Sequence, residues 1–386
     1  MEKMISFLSR LVAVPTDVEK KENYVKCARL IEREAKRRGL VARTYVHTPK
    51  DGKGRANVVV EVCVGAEKTL LIATHYDVVP AGEGWKKNPF KMVVERGRAY
   101  GRGTSDDKGA IACAIEALEE LKKRKSSGFN LILAATCDEE VGGNEGLGYL
   151  INKGFVRPDC AIVLDAGITP AIASSGVVFG RINVHGKQGH AGWPRRCVNA
   201  LELSIPLMEN LLRVGRRKKL SRFWIAGARN PEKVYRRFSF TMIKSGMKAN
   251  IIPGECEITF DMRLIPEEDA RAEIEKLSSE FYSLIRKLGI DADIEFFHVQ
   301  PGYYTDAGNW FVRYVGGILD VGLNSTMGGN DGSHLSRKGI PVVCFGPTRG
   351  ENNAHGKDEF VYIDDLHFVR DKLIEVAEGW VEKRGK

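Results

Sequence analysis

The sequence predicts an α/β fold into which a second, α+β domain is inserted. Toward both ends of the 386-residue chain, apolar strand-like runs alternate with amphipathic helical segments, which is typical of α/β domains. In the middle, the pattern changes to alternating strands and two long helices. In addition, three buried strand-like runs end directly in histidine or acidic residues, at the strand ends where α/β sheets carry their chemistry.

Length and composition indicate an ordinary globular protein with about two domains. Of its residues, 43% are apolar and 28% are charged, and the apolar runs are far shorter than the roughly 20 residues that span a membrane. The amino terminus is interpreted as a helix, not a signal peptide, because Met4, Ile5, Leu8 and Leu11 repeat at helical spacing among charges. Eight scattered cysteines without a CxxC pair favour a reducing, cytoplasmic compartment over a zinc ribbon or a disulfide framework.

The formal charge of +9 invites a nucleic-acid interpretation. The basic runs 122–125 and 216–219, however, lie at the ends of helical patterns, where cations interact favourably with the helix dipole and the solvent. The sequence contains no RNP-like, helix-turn-helix or zinc-finger pattern. We therefore expect solvated helix ends, and neither a nucleic-acid nor a membrane partner.

The first part of the chain is predicted to alternate helices and strands. Two amphipathic helices are predicted within residues 1 to about 40, with residues 15–17 as the break between them and the second helix from Glu22 to Arg38. Further strands are predicted at 41–46, 57–64, 69–73, 91–95, 131–136 and 160–164, and further helices at 109–123 and 147–153.

The middle of the chain is predicted to be a separate inserted domain. Strands are predicted at 177–185, 238–243, 255–263 and 293–299, and helices at 198–214 and 266–288. The last part resumes the earlier pattern, with a helix at 308–319, a strand at 342–345 and a closing helix at 364–384. We therefore assign residues 1–176 and 299–386 to one domain and residues 177–298 to the other.

Candidate metal ligands follow three of the predicted strands. His75 and Asp77 come after the run 69–73, Glu139 and Glu140 after 131–136, and Asp165 after 160–164. An HxD pair alone is a weak signal. Because unpaired carboxylates are costly to bury, the repeated placement of acids at the ends of buried strands indicates ligand binding.

Histidine and carboxylate side chains are suitable ligands for zinc, cobalt or manganese. Five candidate ligands come from distant parts of the chain, namely His75, Asp106, Glu140, Asp165 and His355. With one shared carboxylate they can hold two divalent ions about 3.5–4 Å apart, which is the geometry of metal-assisted hydrolysis. Glu139 stands beside a ligand and is the candidate general base.

Over nearly its whole length the chain resembles the M20 metallopeptidase family, which includes acetylornithine deacetylase, succinyl-diaminopimelate desuccinylase, aminoacylase-1 and carboxypeptidase G2. The matching segments are THYDVVP (74–80), GRGTSDDKG (101–109), DEEVGG (138–143), LDAG (164–167), GKQGHAGWP (186–194), NIIPGECEITFDMR (250–263) and AH with a following DE (354–359). The resemblance implies a zinc-peptidase-like α/β catalytic domain, residues 1–176 and 299–386. It further implies that residues 177–298 form an inserted α+β dimerisation domain, or lid.

The resemblance also implies roles for the candidate residues. One ion is bound by His75 and Asp165, the other by Glu140 and His355, and Asp106 bridges the two ions. Asp77 orients His75, while Glu139 activates the attacking water and hands its proton to the leaving amine. The Asp106–Asp107 peptide bond is expected to be cis.

Three further residues are assigned by the resemblance to substrate binding. His190 reaches from the inserted domain of a neighbouring subunit to polarise the scissile carbonyl, which requires a homodimer. Asn250 and Arg263 hold the substrate's carboxylate, for which a guanidinium fork is well suited.

The implied activity is removal of an acyl group from an N-acyl amino acid by a metal-dependent hydrolase of linear amide bonds. A metallo-dipeptidase or carboxypeptidase of the same mechanism is the alternative. A catalytically silent binding module is disfavoured, because Glu139 and all five ligands are present. Two departures concern the acyl group: residues 173–176 read Ala-Ser-Ser-Gly where desuccinylases carry paired arginines, and Asn330 replaces a frequent hydroxyl residue.

Overall fold

The structure is a computed structural model that describes residues 3–228 and 230–382. Its first part alternates helices and strands as predicted. The elements are α1 (Lys3–Val12), α2 (Tyr24–Arg37), β1 (Val41–His47), β2 (Arg55–Val62), β3 (Thr69–His75), β4 (Val93–Glu95), β5 (Arg98–Tyr100), α3 (Lys108–Arg124), β6 (Asn130–Thr136), α4 (Leu147–Asn152), β7 (Cys160–Val163) and β8 (Ala173–Ser174).

The middle and the last part of the chain continue this order. The middle contains β9 (Gly176–His185), β10 (Gly189–His190), α5 (Ala200–Gly215), β11 (Leu220–Ile225), β12 (Lys233–Tyr235), β13 (Arg237–Ser245), β14 (Ile251–Ile252), β15 (Glu255–Leu264), α6 (Ala270–Leu288) and β16 (Asp291–Gln300). The last part contains β17 (Tyr303–Tyr304), α7 (Trp310–Leu319), β18 (Asn324–Thr326), α8 (Gly332–Ser336), β19 (Val342–Cys344), β20 (Phe360–Tyr362) and α9 (Ile363–Glu382). Positions 383 and 384 of the predicted closing helix lie outside the described residues.

The first domain is built on a six-stranded sheet with the order β1-β2-β6-β3-β7-β19. Strands β6, β3, β7 and β19 are parallel, whereas β2 is antiparallel to both of its neighbours. Helices cover both faces: Leu70 and Ile72 pack with α1, α2, α3 and α9, whereas Leu71 and Ala73 pack with α4 and α8. Burial on both faces explains why β3 reads as a continuous apolar run.

The inserted domain has a sheet and a core of its own. Its four strands follow the antiparallel order β13-β15-β9-β16, and α5 and α6 pack against one face. The alternation in β15, where Ile258 and Phe260 are fully buried between partly exposed neighbours, places one strand face in this core. The predicted α/β fold with an inserted α+β unit is therefore confirmed, while its boundaries at 176/177 and 298/299 stay a prediction.

A hairpin that the sequence analysis did not assign connects the two parts. Strands β11 and β12 follow α5 in the chain, yet they join a five-stranded sheet with the order β12-β11-β18-β8-β17. Within that sheet β11 runs parallel to β18, with Trp224 opposite Asn324. The chain thus returns from the inserted region to the first domain before it enters β13. None of the helices within residues 3–228 and 230–382 combines the length and the apolar character that a membrane crossing requires.

Candidate metal centre

Three adjacent parallel strands position the first group of candidate ligands. In the sheet, β6, β3 and β7 lie side by side, and their carboxyl ends meet at one edge. His75 is the last residue of β3, Glu139 and Glu140 begin a 3-10 turn just after β6, and Asp165 follows β7. The sheet therefore brings His75, the two glutamates and Asp165 to one edge, while their role as ligands stays a prediction.

The other two candidate ligands, Asp106 and His355, come from loops that a buried ion pair joins. Glu359 accepts hydrogen bonds from the backbone N–H groups of Ser105 and Asp106 at 2.9 and 3.2 Å. Its second carboxylate oxygen accepts from the Arg102 guanidinium at 2.6 Å, and Arg102 also donates to the carbonyl of His355 at 3.3 Å. Sequence reasoning gave no role to Arg102 or Glu359, although both stand inside the matching segments.

The five side chains form two overlapping sets around Asp106. Oδ1 of Asp106 lies 3.0 Å from Nε2 of His75, and Oδ2 lies 3.0 Å from Nε2 of His355. His355 Nε2 also lies 3.1 Å from Glu140 Oε2. Within each set, the atoms that could bind an ion all lie within 4.8 Å of one another. The first set is His75, Asp106 and Asp165, and the second is Asp106, Glu140 and His355. The Asp106–Asp107 peptide bond is cis, as the resemblance implied.

This donor set fits a pair of divalent cations. Within the described residues, His75 Nε2, Asp106 Oδ1 and Glu140 Oε1 are buried and make no hydrogen bond. Leaving such atoms without a partner is costly, unless they coordinate an ion. Imidazole and carboxylate ligands match zinc, cobalt and manganese, and the shared Asp106 offers one oxygen to each position.

Asp77 is fully buried and contacts both sides of the site. Its Oδ1 lies 3.5 Å from Nδ1 of His75, whose closer contact, at 3.1 Å, is the Asp77 carbonyl. The same carboxylate accepts hydrogen bonds from the backbone N–H groups of Glu139 and Glu140, each at 3.2 Å. The position suits the predicted orientation of His75 and adds a second contact, to the turn that carries the acids.

The electrostatics of the site reflect several acids crowded into a small volume. Burial, followed by the neighbouring Asp165, raises the pKa of Glu139 well above its usual value. Burial and Asp106 raise the pKa of Asp165 to about 7. For His75, burial favours the neutral form, but nearby Asp106 and Asp77 outweigh burial and raise its pKa. Glu139 therefore takes up a proton more readily than an exposed glutamate does, and it lies next to a cluster of acids that favours cations.

Two predicted substrate residues lie away from this cluster. His190 is exposed on β10, whose partner strand β14 begins just after Asn250, and the Asn250 carbonyl accepts from the N–H of Ala191. The His190 ring accepts a hydrogen bond from the Gly192 N–H at 2.9 Å. Among the described residues, no recorded hydrogen bond or ion pair joins either side chain to the five ligands.

Arg263, the third predicted substrate residue, lies beside a second arginine. Its guanidinium is occupied by Asp261, through contacts of 2.7 to 3.0 Å. Arg237 is its partner across β13 and β15, and contacts the sulfur and the carbonyl of Met327 at 3.1 Å. In the described part of the chain, no carboxylate is recorded within ion-pair distance of Arg237. Sequence reasoning missed Arg237, although the strand register would have placed it beside Arg263.

Asp331 is another buried acid that the sequence analysis left without a role. It is 3% exposed, and burial raises its pKa to about 6. Its carboxylate accepts a hydrogen bond from Thr136, the last residue of β6, at 3.3 Å. Its signal in the sequence is the glycine-rich loop 327–332, in which Asp331 directly follows Asn330.

A cavity of about 590 Å³ adjoins the candidate metal centre. Four loops form its walls, and the residues that line it include Asp165, Ile168, Ile225, Met327, Asn330, Arg349 and Glu351. The Arg349 guanidinium is engaged by Asp365 through two contacts of 2.6 Å. A smaller pocket of about 270 Å³ contains Arg237, Arg263 and Met327, so the two spaces share Met327.

Comparison with known proteins identifies the family of the chain. The model of peptidase family M20/M25/M40 matches residues 71–378. The chain is 30% identical to the acetylornithine deacetylase of Pasteurella multocida, over 97% of this chain and 98% of that protein. It is also 30% identical to the succinyl-diaminopimelate desuccinylase of Sulfurimonas denitrificans, over 81% of this chain and 84% of the relative.

The fold is likewise shared with solved structures. An M20 family metallo-carboxypeptidase from Sulfolobus solfataricus superposes with a TM-score of 0.82 at 19% identity, over 98% of this chain and 99% of that one. Family model, sequence relatives and fold therefore agree, and the chain belongs to peptidase family M20/M25/M40, whose members are metal-dependent hydrolases of amide bonds.

Proposed function

We propose that the chain is a dinuclear metal-dependent amidohydrolase that removes the acyl group from an N-acyl amino acid. The observation that carries this proposal is the convergence of five ligands around Asp106, with the buried carboxylate of Glu139 3.9 Å from His75 Nε2. Both reported sequence relatives carry names of N-acyl amino acid hydrolases, which supports the substrate class.

In this proposal the ligands fall into two sets. His75 and Asp165 would hold one ion, Glu140 and His355 would hold the other, and Asp106 would serve both. When bound, two divalent ions supply Lewis acidity, which polarises the amide carbonyl and makes water more acidic. The ion in the cell is expected to be zinc, with cobalt or manganese as alternatives.

Glu139 is proposed to move the proton. Its raised pKa makes the carboxylate a stronger base than an exposed glutamate, which suits removal of a proton from the attacking water. The resulting carboxylic acid then gives that proton to the nitrogen of the leaving amine, so that the carboxylate is regenerated. Asp77 fixes the backbone of the turn during both transfers, because it accepts from the Glu139 and Glu140 N–H groups.

The free carboxylate of the substrate is proposed to bind near Arg237 and Arg263. Arg263 is already paired with Asp261, whereas Arg237 contacts neutral groups in the described chain, namely Met327 and the Tyr235 ring. Arg237 is therefore the better-placed cation, with Arg263 beside it. His190 and Asn250 are proposed to complete the site from a second subunit, because both are exposed in the inserted domain, His190 on β10 and Asn250 just before β14. This proposal requires a homodimer.

A dipeptidase or carboxypeptidase is the second candidate, and the size of the cavity favours it. A volume of about 590 Å³ exceeds what an acetyl group needs, and exposed Glu351 at its wall is suited to a substrate's amino terminus. The similar fold of the Sulfolobus carboxypeptidase is compatible with this activity. Both candidates use the same ligands and the same base.

The test is release of amine from a substrate panel by metal-free protein reloaded with zinc, cobalt or manganese. The panel contains N-acetyl-amino acids, N-succinyl-amino acids and dipeptides. Turnover of one N-acyl class supports the deacylase, and turnover of dipeptides alone supports the second candidate. No turnover across the panel, with two ions bound per chain, would overturn the proposed substrate class.

We also propose the cellular compartment and the partners of the enzyme. All eight cysteines are free, which supports the reducing, cytoplasmic compartment expected from the sequence. The expected partners are small N-acyl amino acids or short peptides and a second copy of the chain, without nucleic acid or membrane.

A further inference from the structure

We infer that Arg55 and Asn57 of β2 are positioning residues for the turn that carries Glu139 and Glu140. Neither residue belongs to a segment that matches the M20 family. Within the described chain, neither makes a hydrogen bond or an ion pair with any of the five ligands. Strand β2 lies next to β6, and their paired register ends at Val58 opposite Ala135. Beyond Val58, the side chains of Asn57 and Arg55 connect β2 to the residues that follow β6.

Asn57 is fully buried and holds both ends of the loop that follows β6. Its side-chain carbonyl accepts a hydrogen bond from the Cys137 N–H at 3.1 Å. Its amide group donates to the carbonyl of Glu145 at 2.9 Å. One side chain thus fixes the distance between the beginning and the end of the loop, and Glu139 and Glu140 lie between these two points.

Arg55 acts on the residue just before the base. Its side chain is buried, and Nε donates to the carboxylate of Asp138, which is 3% exposed. Asp138 has a φ of 60°, in the left-handed region that residues other than glycine rarely adopt. Its carbonyl accepts from the Gly143 N–H at 2.7 Å, which closes the turn. Arg55 therefore stabilises the backbone reversal that points the N–H groups of Glu139 and Glu140 at Asp77.

The outer end of Arg55 provides a matched control. There, Nη2 donates to Asp51 at 2.6 Å, and Asp51 is also paired with Lys21 at 2.8 Å. Asp51→Asn removes the negative charge that Asp51 places beside the Arg55 guanidinium, but it leaves the hydrogen bond from Arg55 to Asp138 in place. If Arg55 positions the turn that carries Glu139 and Glu140, only loss of its contact with Asp138 should affect that turn.

The first experiment follows backbone amide exchange in the metal-free protein. In Arg55→Met, the peptide containing residues 137–143 should exchange at least about tenfold faster, because the turn opens more often. Peptides of α6 should be unchanged, and Asp51→Asn should match the wild type throughout. Unchanged exchange of residues 137–143 in Arg55→Met would overturn the inference, and this readout does not depend on knowing the substrate.

The second experiment separates positioning from stability and depends on the proposed function for its assay. In Arg55→Met, kcat on the best panel substrate should fall about 10-fold to 100-fold, as for other residues that orient ligands, with KM changed less than about threefold. The double variant Arg55→Met/Asp138→Asn removes the buried charge left without a partner, so its thermal stability should recover toward that of the wild type.

The kcat of the double variant should nevertheless stay low, because the turn still lacks its anchor. Recovery of kcat together with stability would show a merely structural role and overturn the inference. Should Arg55→Met not fold, the double variant and Arg55→Lys carry the same comparison, with Arg55→Lys expected to restore stability more fully than kcat. A wild type that hydrolyses no panel substrate would count against the proposed function alone.

Discussion

Asp77 shows how much of this site depends on a single buried carboxylate. It lies beside the imidazole of His75 and accepts from the N–H groups of Glu139 and Glu140. One side chain just beyond β3 thus contacts the proposed ligand His75, the proposed base Glu139 and the proposed ligand Glu140. The side chain of Glu139 needs no contact with Asp77 and remains available to move a proton.

Replacing Glu139 by alanine should separate ion binding from turnover. Glu139→Ala leaves all five ligands in place, so the variant should bind the same number of divalent ions as the wild type. Its kcat should fall about 100-fold to 10,000-fold, the usual contribution of general acid–base catalysis. Steady-state kinetics with metal analysis check both values. Glu145→Ala, a nearby glutamate paired with His47, should stay active, and full activity of Glu139→Ala would remove the base assignment.

Glu34 on α2 predicts a pH dependence of stability that is independent of the active site. Its side chain is buried and paired with Arg10, Arg37 and Arg38 at 2.6 to 2.7 Å. Burial alone would raise its pKa, but these guanidinium groups outweigh burial and lower it to about 2. Because the folded state binds the proton less tightly, the stabilisation is fully present above the unfolded pKa of about 4.3 and is lost toward pH 2.

Glu34→Gln should therefore lower the free energy of unfolding by about 3 kcal/mol at neutral pH, and by progressively less between about pH 4.5 and pH 2. Denaturant unfolding at a series of pH values measures this difference. The control is Glu375→Gln, whose exposed pair with Lys372 should contribute less than about 1 kcal/mol. A difference that stays constant down to pH 2 would contradict the account.

At the scale of elements, the central sheet could be predicted because its strands are buried on both faces. The runs of β3, β6 and β7 are almost purely apolar, and each ends abruptly in polar ligands. The hairpin of β11 and β12 could not be predicted in this way. In β11 the apolar residues Leu220 and Trp224 are exposed while polar Ser221 is buried, so polarity does not follow burial, and β11 pairs with β18, about 100 residues further along the chain. That pairing depends on tertiary contacts and leaves no local pattern.

The candidate site divides in the same manner. Candidate ligands that follow a strand or lie in a sequence motif could be recognised from the sequence. Residues whose role depends on strand pairing or on hydrogen bonds to backbone N–H groups could not. Arg237 follows another arginine, and only its register opposite Arg263 gives it a meaning. Glu359 binds backbone N–H groups of a loop more than 250 residues away, and such bonds leave no spacing to detect.

Helix α7 allows a test of local propensity. Gly317 lies within it, exposed, and a Cβ added there would meet no atom within 4 Å. Gly317→Ala should therefore raise the free energy of unfolding by about 0.5–1 kcal/mol, because alanine loses less backbone entropy in a helix. Denaturant unfolding measures the change, and a loss of stability would show that the helix is not formed as described.

Gly180 of β9 should respond in the opposite direction. A Cβ there would lie 2.2 Å from Cζ of Phe260 and 2.8 Å from the carbonyl of Glu295. Phe260 is fully buried and stacked on Phe238, so it has little room to move. Gly180→Ala should lower the free energy of unfolding by about 1–3 kcal/mol. A stability equal to that of the wild type would contradict the close packing of β9 against β15.

At the scale of the whole molecule, the inserted domain exposes apolar side chains on α5 and on an edge strand. Ile205 on α5 is 61% exposed, and Met242 and Ile243 on β13 are 52% and 50% exposed. Strand β13 lies at one edge of its sheet in the described chain, and edge strands readily pair with another chain. These features support the proposed dimer, in which His190 acts on the neighbouring subunit.

Charge on this surface should separate the subunits. Ile205→Asp combined with Met242→Asp should halve the mass measured by light scattering and abolish turnover, while ion binding at the five ligands stays unchanged. Glu209→Gln, an exposed change on the same helix, is the control. A monomeric double variant with full activity would show that His190 does not act between subunits.

Five residues are proposed to hold two divalent ions that this chain needs for amide hydrolysis. The most direct test is titration of metal-free protein with zinc or cobalt, in which bound ions and amine release are measured together. Binding should saturate at about two ions per chain, and His75→Ala and His355→Ala should each lose one ion and most of the turnover. Hydrolysis at the full rate without bound ions, or two ions still bound by both variants, would contradict the claim.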